Sequence, residues 1–166
     1  MNVLGIDPGT ASTGYGVIRI EGSRMRALEH GVVTTPASAP PAERLATIYR
    51  RICELIAVHE PAAAALEDLY VGANPRTVLA VGQGRGAVLA ACGVAALPAE
   101  SYPPAEVKSA VCGFGRADKL QVQRMVGAML GIDATAIADH ASDALAVAIC
   151  HGVRSRSPLL DRAAAR

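Results

Sequence analysis

The chain has 166 residues, of which 51% are hydrophobic, enough to bury one core and too few for a pair of large domains. Sixteen Lys and Arg stand against 15 Asp and Glu, a balance that excludes a histone-like or polybasic protein while leaving room for a local basic groove opposite a local acidic site. The four cysteines, Cys53, Cys92, Cys112 and Cys150, lie far apart in apolar surroundings without the C-x-x-C spacing of a zinc site, and read as reduced thiols of a cytoplasmic protein.

No basic, apolar leader precedes Val3, and no uninterrupted apolar run of about 18 residues follows, so neither secretion nor a membrane span is expected. Val3 to Ile6 is a short apolar run ended by Asp-Pro-Gly; Tyr15 to Ile20 and Ala27 to Thr34 add β-branched runs around the turn Glu21-Gly22-Ser23, which predicts a three-stranded antiparallel meander. Leu45, Ile48, Ile52, Leu55 and Ile56 recur at helical spacing, so residues 42–59 form an amphipathic helix stopped by Pro61. Ala62 to Leu66 suits a buried central strand by length and position, although alanine is a poor strand former.

Thr77 to Cys92 predicts a second helix ending at Gly93, and Val94 to Ala99 a fifth strand. Pro104 to Val111, Lys119 to Leu130 and His140 to His151 predict three more helices. The order gives an α/β fold: a mixed five-stranded sheet, three strands antiparallel and then two parallel, flanked by helices and without internal repeat. Residues 1–152 form the domain and 153–166 a loose, basic, disordered tail.

Asp7 ends the first strand and Glu67 the fourth. Taken alone, an acid at a strand end is more often a turn former or a cap than a ligand. Taken together, neighbouring first and fourth strands would make the two acids face each other, and like charges held that close favour protonation unless a cation intervenes. In the last helix, "ADHASDALAVAIC" sets His140 and Asp143 three apart on one face, above alanines that indicate burial. An acid there is costly unless ligated or hydrogen-bonded; the competing reading of Asp143 is a first-turn acid favoured by the helix dipole. Asp139 has two readings as well: a helix N-cap, or a partner of Asp143 four residues on. Hard divalent cations take carboxylate oxygens, and two of them about 3.5–4 Å apart clamp the oxygens of a phosphodiester displacement.

Gly82, Gly84 and Gly86 inside a helix each cost about 0.8–1 kcal/mol relative to Ala, which close approach of a core strand or of a partner helix would offset. The same "GQGRGA" also fits a dinucleotide-binding pattern, weakly, since the strand and the trailing acid of that motif are missing.

The blocks "GIDPGTASTGYGVI", "LEDLY" with "NPRTVLAVGQGRGAVLAA", "YPPAEVKSAVCGFGRADKLQVQRMV" and "DHASDALAVAICH" resemble, in order over residues 1–151, the RuvC Holliday junction resolvases. The resemblance implies a ribonuclease-H-like fold and a homodimer that nicks two opposed strands of four-way junction DNA in recombination and repair. It implies two Mg2+ or Mn2+ ions per site, held by Asp7, Glu67, His140 and Asp143. Many members of the family carry Asp where His140 stands, which leaves His140 as ligand, base or a residue behind the ligands. It also implies a junction-stacking aromatic at Tyr70, where the plain alternative is a loop tyrosine packed on its neighbours. Lys108 and Lys119 would lie near the scissile phosphate, and RuvA and RuvB would be branch-migration partners. Arg76 and Arg85 could reach a phosphate or a base edge. Gly9, Thr10, Thr13 and Gly14 would let the DNA backbone approach Asp7.

"DPGTASTGYGV" is also close to the phosphate-binding turn of sugar kinases and actin-like ATPases, but those build their cleft from two such domains and this chain has one. A catalytically inert DNA-binding module is the third class; it would need a basic face but no convergent acids.

Overall fold

The computed structural model describes residues 1–68 and 75–156. Strands β1 (Asn2–Asp7), β2 (Ser12–Glu21) and β3 (Arg24–Thr34) form the antiparallel meander, followed by α1 (Pro41–His59), β4 (Ala63–Glu67), α2 (Pro75–Val94) and β5 (Ala99–Tyr102). Three helices follow among the described residues: α3 (Pro104–Cys112), α4 (Lys119–Leu130) and α5 (Asp139–Arg154), with a short 3-10 turn at Ala134–Ala136 that periodicity did not reveal. The sheet order is β3-β2-β1-β4-β5, with β1 antiparallel to β2 and parallel to β4. This is the mixed five-stranded sheet the sequence predicts.

Alternation along β1 divides the interior in two. Leu4 and Ile6 face α1 and α2, packing with Ile48, Ile52, Leu55, Val88 and Ala91. Val3, on the opposite face with Ala65 and Ile18, packs against α3, α4 and α5. Asp7, four residues from Val3, therefore shares the α5 side of the sheet, and Glu67 shares it with Ala65.

Helix α5 lies unusually close to that side. The missing side chain of Gly5 makes room for the Ala144 carbonyl, and that of Gly14 for the His140 carbonyl, since a Cβ at either glycine would fall 1.9 Å from the oxygen. Leu145 fills the space left by Gly16. Eleven of the 16 residues of α5 are buried.

Local chemistry sets the other boundaries. Pro41 opens α1, where its missing N–H costs nothing, and Glu60 closes it in the left-handed region (φ 43°). Asp118 and Gln121 form a reciprocal capping box that fixes the start of α4, and hence the base of Lys119. Leu28 is bulged out of the β2–β3 ladder between Ala27 and Glu29.

Two boundaries differ from the sequence expectation. Val94–Leu97 is not strand: α2 runs through Val94, and Leu97 N–H returns to the Cys92 carbonyl, so this apolar run is a helix end and a turn. The strand begins instead at Ala99, pairs with Ala64 in parallel, and lies between Pro98 and Pro103. At the other end α5 continues to Arg154, so residues 153 and 154 are helical rather than tail. Among the described residues no helix is long and apolar enough to cross a membrane.

Candidate active site

The parallel register pairs Ile6 with Leu66, so the next residues along, Asp7 and Glu67, end adjacent strands side by side. The glycine-lined sheet brings the first turn of α5 down beside them. His140 Nδ1 lies 2.6 Å from Asp7 Oδ2, and Asp7, His140 and Asp143 each offer a ligand atom within 4.8 Å of the others. Glu67 stands next to this trio, sharing a cavity of about 170 Å³ with Asp143, Lys108 and Lys119. The four residues singled out from strand ends and helix face thus converge at one end of the sheet.

Glu67 and Asp143 are held against their charge. Burial, then the carboxylates of Asp7 and Asp143, push Glu67 up to about 7, with Lys108 and Lys119 only partly opposing. Asp143 is raised by burial, which outweighs the pull of Lys119. Such a cluster is satisfied by protons or by a cation, and its donors, carboxylate oxygens with one imidazole, suit a hard divalent ion such as Mg2+ or Mn2+. Lys119 reaches Asp139 at 3.2 Å and Asp143 at 3.6 Å; burial works against its charge, but those acids more than compensate and its pKa is raised.

Several expectations are corrected. Asp139 is not the N-cap: that position is Ala138, and Asp139 is the exposed first residue of α5, paired with Lys119 and outside the ligand trio. Gly14 and Thr13 do not open a path for DNA. The space above Gly14 is filled by α5, and Thr13 is fully buried with its hydroxyl donating to the Gly9 carbonyl. "GQGRGA" is the middle of α2, which excludes a phosphate turn there. Of the three helical glycines, Gly84 makes a close approach, to the backbone of Gly9 and Thr10, while Gly82 and Gly86 face open space. Tyr70 lies outside the described residues, as does the side chain of Arg76.

Sequence reasoning missed the residues that brace the loop after Asp7 and the end of β4. Thr35 donates to the Thr10 carbonyl and is itself held by Arg44 Nε at 2.9 Å. Arg85, expected to reach a phosphate or a base edge, instead turns inward, donating to the Glu67 carbonyl at 2.8 Å, to Asp68 Oδ1 at 3.3 Å and to Ser101 Oγ. The signal available for Arg85 was its solitude: it is the single charged residue between Thr77 and Val94.

A family model described as crossover junction endodeoxyribonuclease RuvC matches residues 3–151. The chain is 51% identical over 151 residues to the protein of that name from Moorella thermoacetica, covering 91% of this chain and 90% of the relative. Thermus thermophilus RuvC in complex with a Holliday junction substrate is 36% identical and superposes with a TM-score of 0.90 over 94% of this chain and 95% of that one. The yeast mitochondrial Holliday junction resolvase Ydc2, at 14% identity, shares the fold alone: TM-score 0.65 over 96% of this chain and 83% of the other. These similarities favour the resolvase expectation over the actin-like one.

Proposed function

The chain belongs to the RuvC family of crossover junction endodeoxyribonucleases, and from that premise we propose how its own residues resolve a Holliday junction. The activity is that of a structure-specific nuclease of recombination and repair, with use of a divalent metal. One observation carries the residue assignment: Asp7, His140 and Asp143 converge within 4.8 Å beside Glu67 on elements far apart in sequence.

In this reading Asp7, Glu67 and Asp143 hold the cations, two Mg2+ or Mn2+ per site. Bound there, they would polarise the scissile phosphate and make water a nucleophile near neutral pH. His140 donates its Nδ1 proton to Asp7, which fixes the tautomer and leaves Nε2 as the nitrogen open to a cation or a proton. Lys119, steadied between Asp139 and Asp143, and Lys108 on the cavity wall supply positive charge for the phosphate oxygens. Tyr70, three residues beyond Glu67, would stack on an unpaired base at the junction opening, and Arg76 would contact the DNA backbone. The products would be 5′-phosphate and 3′-hydroxyl ends.

Two sites acting on opposed strands require two copies of the chain. The outer face of α2 supports a homodimer: Leu79, Leu89 and Val94 are 66%, 41% and 77% exposed, on a stripe with the open Gly86. RuvA and RuvB are the branch-migration partners this reading assigns, and the sheet with its helices through α5 is the unit that carries the chemistry.

The test is cleavage of a synthetic four-way junction in Mg2+ and Mn2+. Asp7→Asn and Glu67→Gln each lower the cleavage rate by more than about a thousandfold while junction affinity stays within a few-fold. Wild-type rates in both variants would remove the assignment.

A further inference from the structure

Helix α2 reaches beneath both strand ends that carry the acids. At Gly84 an added Cβ would come within 3.1 Å of the Gly9 carbonyl carbon and 3.3 Å of the Thr10 nitrogen, in the loop leaving Asp7. One residue on, Arg85 meets the chain leaving Glu67. Its side chain is 16% exposed, and the guanidinium donates to the Glu67 carbonyl, the Asp68 carboxylate and the Ser101 hydroxyl. The planar fork of arginine binds several acceptors at fixed angles, which lysine cannot do. Asp68 is held from the other side as well, its N–H donating to the Tyr102 carbonyl at 2.9 Å. The last peptide of β4 is therefore gripped between α2 and β5.

We propose that Arg85 is a positioning residue: by clamping the Glu67 carbonyl and Asp68 it fixes the aim of the Glu67 carboxylate toward Asp7 and Asp143, and so sets the affinity of the site for its divalent ion. The inference rests on the metal-nuclease reading of that site. It adds a residue that touches neither the ion nor the DNA. It also gives α2 a second job beside the exposed apolar positions Leu79 and Leu89, since the clamp lies on the same helix. Partners that orient a ligand from behind typically change metal affinity or activity by about 10–100-fold when removed.

The experiment compares Arg85→Met and Arg85→Lys with wild type in three measurements. In metal-free protein, hydrogen exchange at the Asp68 amide accelerates at least about tenfold in Arg85→Met. By calorimetry, the Mn2+ dissociation constant rises about 10–100-fold, with Arg85→Lys between the two. In junction cleavage, the Mn2+ concentration for half-maximal rate rises in step and the rate recovers at saturating Mn2+. Junction affinity in Ca2+ and its salt dependence stay at wild-type values. Unchanged exchange and unchanged Mn2+ affinity overturn the proposal. So does weaker junction binding with a shallower salt slope, because that assigns the guanidinium to a phosphate. Should Arg85→Met fail to fold, Arg85→Lys, which keeps the charge but loses the planar fork, carries the test, and wild-type exchange and Mn2+ affinity there overturn it equally. Failure of the nuclease reading looks different: wild type itself would bind no Mn2+ and leave the junction uncut.

Discussion

Helices α5 and α2 flank the same sheet on opposite sides, both are rich in small residues, and they use smallness in opposite ways. Under α5 the glycines belong to the sheet, at Gly5, Gly14 and Gly16, so the helix backbone sinks onto the strands and 11 of its 16 residues are buried. In α2 the glycines belong to the helix: Gly84 is spent on the loop after Asp7, while Gly82 and Gly86 meet nothing within 4 Å. A glycine facing a strand places a helix; a glycine facing outward leaves room for something not yet there. In the reading above, the catalytic arrangement hangs on the first kind and the association of two chains on the second.

The largest expected effect breaks the α5 side. Gly14→Ala drives a methyl into the His140 carbonyl and destabilises by about 3 kcal/mol, at the upper end for overpacking, with cleavage falling further than stability because His140 moves away from Asp7. Chemical denaturation and junction cleavage measure the two losses; a variant as stable and active as wild type would mean that α5 does not sit on the glycine.

Next comes the pH dependence of the charges α5 delivers. With Glu67 raised from 4.5 to about 7, the folded state holds its proton longer than the unfolded chain, so metal-free stability falls as pH rises from about 4.5 and levels off above about 7. The loss is on the order of 2 kcal/mol between pH 5 and 8. Glu67→Gln flattens it and saturating Mn2+ reverses it, as thermal melts across that range would reveal.

On the α2 side the effects are smaller and opposite in sign. Gly82→Ala and Gly86→Ala each add about 0.8–1 kcal/mol of helix propensity to the isolated chain while weakening self-association, so dilution in a sedimentation experiment should release monomer sooner. Equal or tighter association would assign the outward face of α2 another use. Least of all is Lys119→Ala: its exposed ion pairs contribute under about 1 kcal/mol, but cleavage slows and the slope of log affinity against log salt falls by about 1.

What the sequence disclosed follows from how local each signal is. The meander, α1, α3, α4 and α5 announce themselves through alternation, helical spacing, prolines and caps within a few residues. Asp7, Glu67, His140 and Asp143 were legible because each lies at a strand end or on one helix face, and the family resemblance joined them. Val94–Leu97 misled because apolar residues at a helix end read the same as a strand until Leu97 N–H is seen to return to Cys92. Gly14 was read as clearance for DNA because nothing nearby in sequence tells that His140 fills the space. Arg85 was read as a candidate for a phosphate or a base edge for the same reason: its acceptors, Glu67 and Ser101, lie 18 and 16 residues away, on separate strands.

The borders of the sheet carry a last consequence. On one side β5 is four residues long, confined between Pro98 and Pro103 and marked by exposed Glu100; on the other, β3 carries Arg24 and Arg26 and is interrupted by the bulge at Leu28. Neither offers the long, flat row of free amides and carbonyls on which foreign strands add. Fibre-like stacking of one copy on the next is thereby discouraged, and the self-association proposed above is steered toward the helices.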